Sequence, residues 1–470
     1  MNSARYKPHV PQIPIHVHDQ GRKNRRIKSN VHLQPSHPAA PQPPQSDNGG
    51  GQNPRFRRQP PPLSHRDDPS KNLSPVIPNA PISPQEAIDR YSSLMTRYET
   101  SEILNFPSVF FLGNKARKHE PIRSDRYNFG FDTKNHAYKV SVGDHLAYRF
   151  EVLNTFGSGA FGQVVRAFDH KNQTHVAIKI VVNTEQMHEQ GQIEAKILAR
   201  LNKCAVPNVV RAFDFFIFRS HICVTFEVLG KNLYEMIQSN HYHPFPPFFV
   251  RNYATQILIG LEGIHNAGIV HCDIKPENIL LNANTQKNSV KIIDFGSGCF
   301  EGHQKYEYIQ SRFYRAPEVV LGISYGPPMD IWSAALVIIE LLIGKPIFPC
   351  SDELELLWMI SELIGPPPIE LVKTGKRRGD FFDNKLNMKL HKGRPRMPSN
   401  TTLQSVLNIN DPFLIDFLTK CLTWDQNERM TAKDALQHPW ILTKTVSVSI
   451  PEPQQVPSIL PELRNPQKIE

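Results

Sequence analysis

The sequence predicts an α+β fold of two lobes, a small β-rich lobe followed by a larger helical one, behind a disordered N-terminal tail. Three observations carry this prediction. Residues 151–227 are rich in short β-branched and aromatic runs, with one helical stretch near Gln186–Arg200. Residues 228–442 then read mainly as helices separated by loops. The oddities of the 470-residue chain, 41 prolines and a net charge of +10, gather at its start. The first 80 residues hold twelve Lys/Arg against four Asp/Glu, and 17 of the prolines fall within residues 1–84.

Taken in order, residues 1–82 form a Pro-rich basic tail with too few large apolar side chains to offset the entropy of ordering. Its basic clusters, Arg22–Lys28 and Arg55–Arg58, read as localisation signals or solvated charge, and nucleic-acid binding is not the expected role. Residues 83–148 form an accessory region. It opens on Ser83-Pro84-Gln85-Glu86, a helix-start signature, and Ile88, Tyr91, Met95 and Tyr98 follow at helical spacing, which predicts one amphipathic helix. Residues 149–442 make the two-lobed domain, and 443–470, with five prolines, a second flexible tail. The most apolar stretch, Ile331–Ile343, is short and interrupted by Glu340, so it predicts a buried helix and no membrane association. The start has no apolar core of the signal-peptide kind. Six scattered cysteines without a Cys-x-x-Cys pair argue against a disulfide framework and for a cytoplasmic or nuclear location.

The chemistry begins at Phe156-Gly157-Ser158-Gly159-Ala160-Phe161-Gly162-Gln163-Val164, between two apolar runs. Glycines at this spacing bring backbone N–H groups close to phosphate oxygens, where a side chain would intrude. A dinucleotide fingerprint needs a helix directly after the loop; here a strand continues, which favours a strand–loop–strand lid over a nucleotide triphosphate. Downstream, Val176-Ala177-Ile178-Lys179 is a strand ending in a lysine suited to neutralise phosphates. Glu194, in the helical stretch, is the available carboxylate to hold that lysine.

His271-Cys272-Asp273-Ile274-Lys275-Pro276-Glu277-Asn278 is more specific. One loop offers a carboxylate to take a hydroxyl proton, a lysine to balance phosphate charge and an amide oxygen for a metal. Asp294-Phe295-Gly296 supplies a second metal ligand, and Ala316-Pro317-Glu318 and Asp330-Ile331-Trp332 complete the series in order. Unconnected polar loops would explain any one of these motifs but not all of them together.

Over about residues 149–442 the series resembles the protein kinase catalytic domain. The resemblance implies ATP bound between the lobes, Asp273 as catalytic base, Lys275 on the transferred phosphoryl group, and Mg²⁺ on Asn278 and Asp294. It further implies that Phe226, Glu227, Val228 and Leu229 form the hinge receiving adenine, with Val164, Ala177 and Leu280 as apolar walls. Within kinases, Cys272 between His and Asp, and the pair Tyr306 and Tyr308 ahead of Arg312 and Arg315, resemble the dual-specificity tyrosine-regulated kinases, the DYRK family of the CMGC group. That likeness implies autophosphorylation of Tyr308, its phosphate held by Arg312 and Arg315, and transfer to Ser/Thr of protein substrates with arginine upstream and proline after the acceptor. Glu277 is a candidate reader of that arginine. Asn135–Phe150 is similar to the DYRK homology box, and Ser83–Gly113 to the accessory region of class II members. A conformational aid to autophosphorylation is the implied role of that region, and a plain packing strap is its rival.

The sequence departs from the family at Gly298, where serine is usual, and at Ala335, where glycine is usual. The alternative to an active enzyme is a catalytically weak kinase-fold scaffold. Such scaffolds generally lose the counterparts of Lys179, Asp273, Asn278 or Asp294, and all four are present here. The partners of the two tails are not legible in the sequence.

Overall fold

A computed structural model describes residues 81–113, 116–122, 124–159, 161–282, 289–392 and 402–443. Both predicted tails lie outside these residues, apart from the last residues of the N-terminal one and the first of the C-terminal one, and so does Ala160 of the glycine lid. The element order is α1 (Pro84–Tyr91), α2 (Arg97–Glu102), β1 (His145–Leu146), β2 (Phe150–Gly159), β3 (Gly162–Asp169), β4 (Thr174–Val181), α3 (Glu185–Lys203), β5 (Ala212–Phe218) and β6 (His221–Phe226). The helical lobe follows with α4 (Leu233–Ser239), α5 (Pro247–Asn266), β7 (Ile269–Val270), β8 (Ile279–Leu281), β9 (Val290–Ile292), β10 (Cys299–Phe300), α6 (Pro317–Leu321), α7 (Pro328–Ile343) and α8 (Glu353–Ile364), then shorter helices.

The β-branched and aromatic runs form one antiparallel sheet, ordered β1-β2-β3-β4-β6-β5. Alternation along β3 sends Val165 and Ala167 inward, and β4 is buried from Val176 to Val181. Helix α3 starts where Thr184 caps the Met187 N–H and lays Ile197, Leu198 and Leu201 against the core. In the helical lobe, α7 is buried along Met329–Leu342, as expected of a helix apolar all round. It packs beside α5, whose Val250, Ala254, Ile257, Leu261 and Ile264 keep a helical spacing.

The accessory region corrects one expectation. Ser83 does cap α1, accepting from the Glu86 N–H at 3.1 Å, but α1 ends at Tyr91. A 3₁₀ turn, Ser92–Leu94, follows, and Thr96 with Glu99 forms a reciprocal capping box that starts α2. The apolar period spans two helices because a second N-terminal signal interrupts it. The region then completes the small lobe: Phe131 and Tyr138 share a core with Val152, Val165 and Ile178. Arg219, in the β5–β6 turn, donates to Glu102 (3.0 Å), Glu99 (3.3 Å) and the Tyr138 hydroxyl (3.1 Å). Glu99 also meets His145 (2.9 Å) and Lys118 (2.8 Å), and these two hold its carboxyl well below the usual range against the upward effect of burial.

Candidate active site

The glycine lid is the β2–β3 hairpin, continuous on both sides of its tip with Ser158 opposite Gln163 and Gly159 opposite Gly162. Its glycines serve different ends. Gly162 has φ +148°, and a Cβ there would lie 2.2 Å from the Ile180 carbonyl oxygen, so only glycine lets the lid cross β4. At Gly157 and Gly159 a Cβ would meet nothing within 4 Å, so packing does not demand glycine at either position. Phe156 and Ser158 are exposed and Phe161 half-buried. Gln163 directs its side chain to the Tyr138 carbonyl, so its side chain ties the lid to the accessory region.

Lys179, opposite Val164 in the β3–β4 register, is no surface lysine. Only 8% exposed, its Nζ donates to both Glu194 oxygens (2.7 and 2.9 Å) and to Asp294 Oδ1 (2.7 Å). Burial alone would lower the pKa of this ammonium, but the Asp294 and Glu194 carboxylates outweigh it and hold the group charged. Asp294 is pushed down to about 2: burial opposes this, and Lys179 and Lys275 drive it.

Asp273 lies at the centre of a second cluster. Its Oδ2 accepts from Lys275 Nζ (2.7 Å) and Asn278 Nδ2 (3.2 Å), and Asn278 Nδ2 also donates to the Asp273 carbonyl (2.9 Å). Because the Asn278 nitrogen is spent on Asp273, its oxygen is the atom it offers a cation. The other carboxylate oxygen, Oδ1, accepts from the Ser311 hydroxyl (2.8 Å) and N–H (3.2 Å). Sequence reasoning missed Ser311; its position directly before Arg312, in a loop that returns to Asp273, was the available signal.

The loop is anchored from below. Asp330, fully buried at the start of α7, accepts from the backbone N–H groups of His271 and Cys272 (2.9 Å each) and is joined by His265 (3.0 Å). His271 bridges to the Ile293 carbonyl, next to Asp294, at 2.9 Å. Cys272 sits at φ +66°, a conformation that ordinary residues hold only when their surroundings impose it. Its sulfur lies 3.8 Å from that of Cys299; both are free thiols, a proximity the scattered sequence positions concealed.

The segment expected to form the hinge begins at the end of β6. Phe226 pairs with Ala177 across the β4–β6 register, Glu227 holds Lys291 and the Arg211 N–H, and Val228 and Leu229 lead on toward α4. Leu280, on β8, pairs with Lys291 across the cleft floor. Val164 and Leu280 are half-buried and Ala177 is 9% exposed.

In the activation loop the Arg315 guanidinium stacks 3.9 Å from the Tyr308 ring centre. Arg315 is buried, donating to the Ile309 and Gln310 carbonyls and to Glu353 (2.8 Å), while Arg312 reaches the Ser351 carbonyl. Partial burial would raise the Tyr308 phenol, but Arg315 and Arg312 hold it below its ordinary value. The loop closes on Glu318, joined bidentately to Arg429 (2.7 and 2.9 Å) in a fully buried pair.

A glycine hairpin over a lysine paired with a glutamate, and a carboxylate flanked by lysine and amide, reproduce the parts of a kinase cleft. The Protein kinase domain family matches residues 150–441. The chain belongs to the DYRK family of protein kinases. It is 40% identical over 400 residues to the human dual specificity tyrosine-phosphorylation-regulated kinase 4, covering 84% of this chain and 77% of that protein. It is equally similar to kinase 3 of Macaca fascicularis, over 82% of this chain and 70% of the relative. The match to the kinase mbk-2 of Caenorhabditis briggsae, also 40%, covers 76% of this chain but only 47% of that longer protein. Among the described residues no helix is long and apolar enough to cross a membrane.

Proposed function

We propose that this chain is an active, dual-specificity kinase that phosphorylates Tyr308 of its own activation loop and then transfers phosphate from ATP to serine or threonine of other proteins. The observation that carries this reading is Asp273, held between Lys275, Asn278 and Ser311 while the Lys179–Glu194 pair stands assembled beside it.

The residues fit the groups this chemistry needs. The glycine lid suits a phosphate chain, Lys179 presents its positive charge, and Phe226 to Leu229 present a hinge for adenine. Asn278 and Asp294 offer the oxygen donors that Mg²⁺ prefers, and the ion would neutralise charge on the phosphates. Asp273 accepts the proton of the attacking hydroxyl as its oxygen bonds the γ-phosphorus and the bond from that phosphorus to the bridging oxygen breaks, with ADP leaving, and Lys275 balances the charge on the transferred group. Ser311 fixes the Asp273 rotamer, leaving general-base work to a carboxylate already oriented.

Tyr308 phosphate would carry close to two charges between Arg312, whose Nε has no hydrogen-bond partner, and Arg315. An arginine upstream of the acceptor would meet Glu277, whose Oε2 is buried and unpartnered. Free cysteines and the absence of disulfides among the described residues suit a cytoplasmic or nuclear setting.

The test is ATP-dependent transfer by the purified chain onto a peptide with arginine upstream of Ser-Pro, alongside Asp273→Asn, with phosphosites mapped by mass spectrometry. Wild type no faster than Asp273→Asn would leave only a scaffold. Transfer without phosphate on Tyr308 would remove the activation step. Tyr308→Phe is expected to lose most activity.

A further inference from the structure

Between α3 and the start of the activation loop lies a cavity of about 270 Å³, separate from the residues assigned to nucleotide and phosphoryl transfer. Its lining is mainly apolar, with Phe300, Tyr306, Tyr325, Ile193 and Ile309, and His303 at one side. Gln190, 4% exposed, also lines it; its nitrogen donates to the Gly298 carbonyl (3.3 Å) while its Oε1 has no hydrogen-bond partner. The Tyr306 hydroxyl, on the activation-loop side, is likewise buried and unpartnered. Buried polar atoms are almost always satisfied, so both atoms are open to a hydrogen bond from a molecule or water bound in the cavity. Lys196 and Lys305 stand among the lining residues. Lys305 is engaged by Glu189 (2.6 Å), and Lys196 has no acidic partner among the described residues.

We propose that this cavity binds a small planar aromatic acid. Its ring would lie among Phe300, Tyr306, Tyr325 and Ile193, a donor group would reach Gln190 Oε1, and its carboxylate would pair with Lys196. Gln190 lies one helical turn before Glu194 on α3, and Tyr306 is two residues from Tyr308. A ligand here therefore bridges the helix that holds Lys179 and the loop that carries the activating tyrosine. The site is independent of the turnover proposed above, because binding is read without it.

The test uses the full chain and 6-hydroxy-2-naphthoate, which carries a planar ring, a donor and a carboxylate. Calorimetry is run with and without a saturating non-hydrolysable ATP analogue. The expected result is one saturable site unaffected by the analogue, with hydrogen-exchange protection over residues 186–198 and 297–310. Gln190→Leu should weaken it about tenfold, the loss of one buried hydrogen bond. Ile193→Trp, which fills the cavity, should abolish it. Should the tryptophan variant fail to fold, Gln190→Leu decides alone. Competition by the ATP analogue, equal affinity in Gln190→Leu, or no saturable binding at millimolar probe would each overturn the proposal.

Discussion

Replacing Asp330 with asparagine isolates what holds the catalytic loop in place. The carboxylate accepts three hydrogen bonds, from the His271 and Cys272 N–H groups and from His265, with no water access at 0% exposure. Asparagine keeps one oxygen and turns an NH₂ toward a donor. If the oxygen stays with His271, the Cys272 N–H loses a charge-assisted bond worth about 1.5–3 kcal/mol and is left buried without a partner, a further 1–3 kcal/mol. Cys272 is also the residue at φ +66°, so the lost bond is one that holds an unfavourable backbone conformation. The expected destabilisation is roughly 3–5 kcal/mol, a melting midpoint lower by about 5–15 °C in a domain of this size. Asp273 is the next residue, so kcat should fall well over tenfold at temperatures where the variant remains folded, while KM for ATP changes little. The assays are thermal unfolding by circular dichroism and steady-state kinetics below the variant's midpoint. A variant that melts within about 2 °C of wild type and keeps kcat within twofold would refute the claim that Asp330 positions this loop.

Three further substitutions test other parts of the molecule. Burial, with help from Glu277, raises the Glu340 carboxyl from 4.5 to about 7, against the hydrogen bond from Tyr314. A carboxyl raised on folding binds its proton more tightly in the native state, so its ionisation costs stability between pH 4.5 and 7. Glu340→Gln should therefore gain on wild type across that window, by up to about 3 kcal/mol at pH 8 relative to pH 4.5, in urea denaturation; an equal difference at both pH values would contradict this. Gly162→Ala should disrupt the lid outright, while Gly157→Ala should fold normally and raise KM for ATP, a contrast read by melting and kinetics together. Arg219→Ala leaves Glu102 without its cation while Glu99 keeps His145 and Lys118, and should cost roughly 3–5 kcal/mol, seen as earlier unfolding of the small lobe by hydrogen exchange.

The parts legible in the sequence were those whose chemistry is local. Val176-Ala-Ile-Lys179 and His271 to Asn278 each lie within one strand or loop, so order and residue type sufficed to single them out. The Lys179–Glu194 pair was legible for the same reason, since a strand followed by one helix leaves few candidates. What was hidden depends on contacts between distant segments. Nothing in the spacing says that Asp330 accepts from Cys272, 58 positions earlier, or that Ser311 closes on Asp273, 38 positions away. The helix predicted across Tyr98 failed differently: the 3.6-residue period persisted through Thr96-x-x-Glu99, and a cap overrode it.

The accessory region was read as either a packing strap or an aid to autophosphorylation, and its contacts bear on both readings. Phe131 and Tyr138 belong to the core of the small lobe, which is the work of a strap. Yet the same segment touches the lobe at points that flank the chemistry. The Tyr138 carbonyl receives Gln163 from the lid. Asp132 receives Asn183 Nδ2 (3.0 Å), just past the strand carrying Lys179, and meets His221, which also bonds the Val181 carbonyl (2.7 Å). Loosening that segment therefore loosens both the lid and the strand of Lys179, and packing energy becomes site geometry. If so, Arg219→Ala, which touches no catalytic group, should raise KM for ATP in proportion to the loss of protection over residues 162–181, whereas a strap without influence on the site would lower stability and leave KM unchanged.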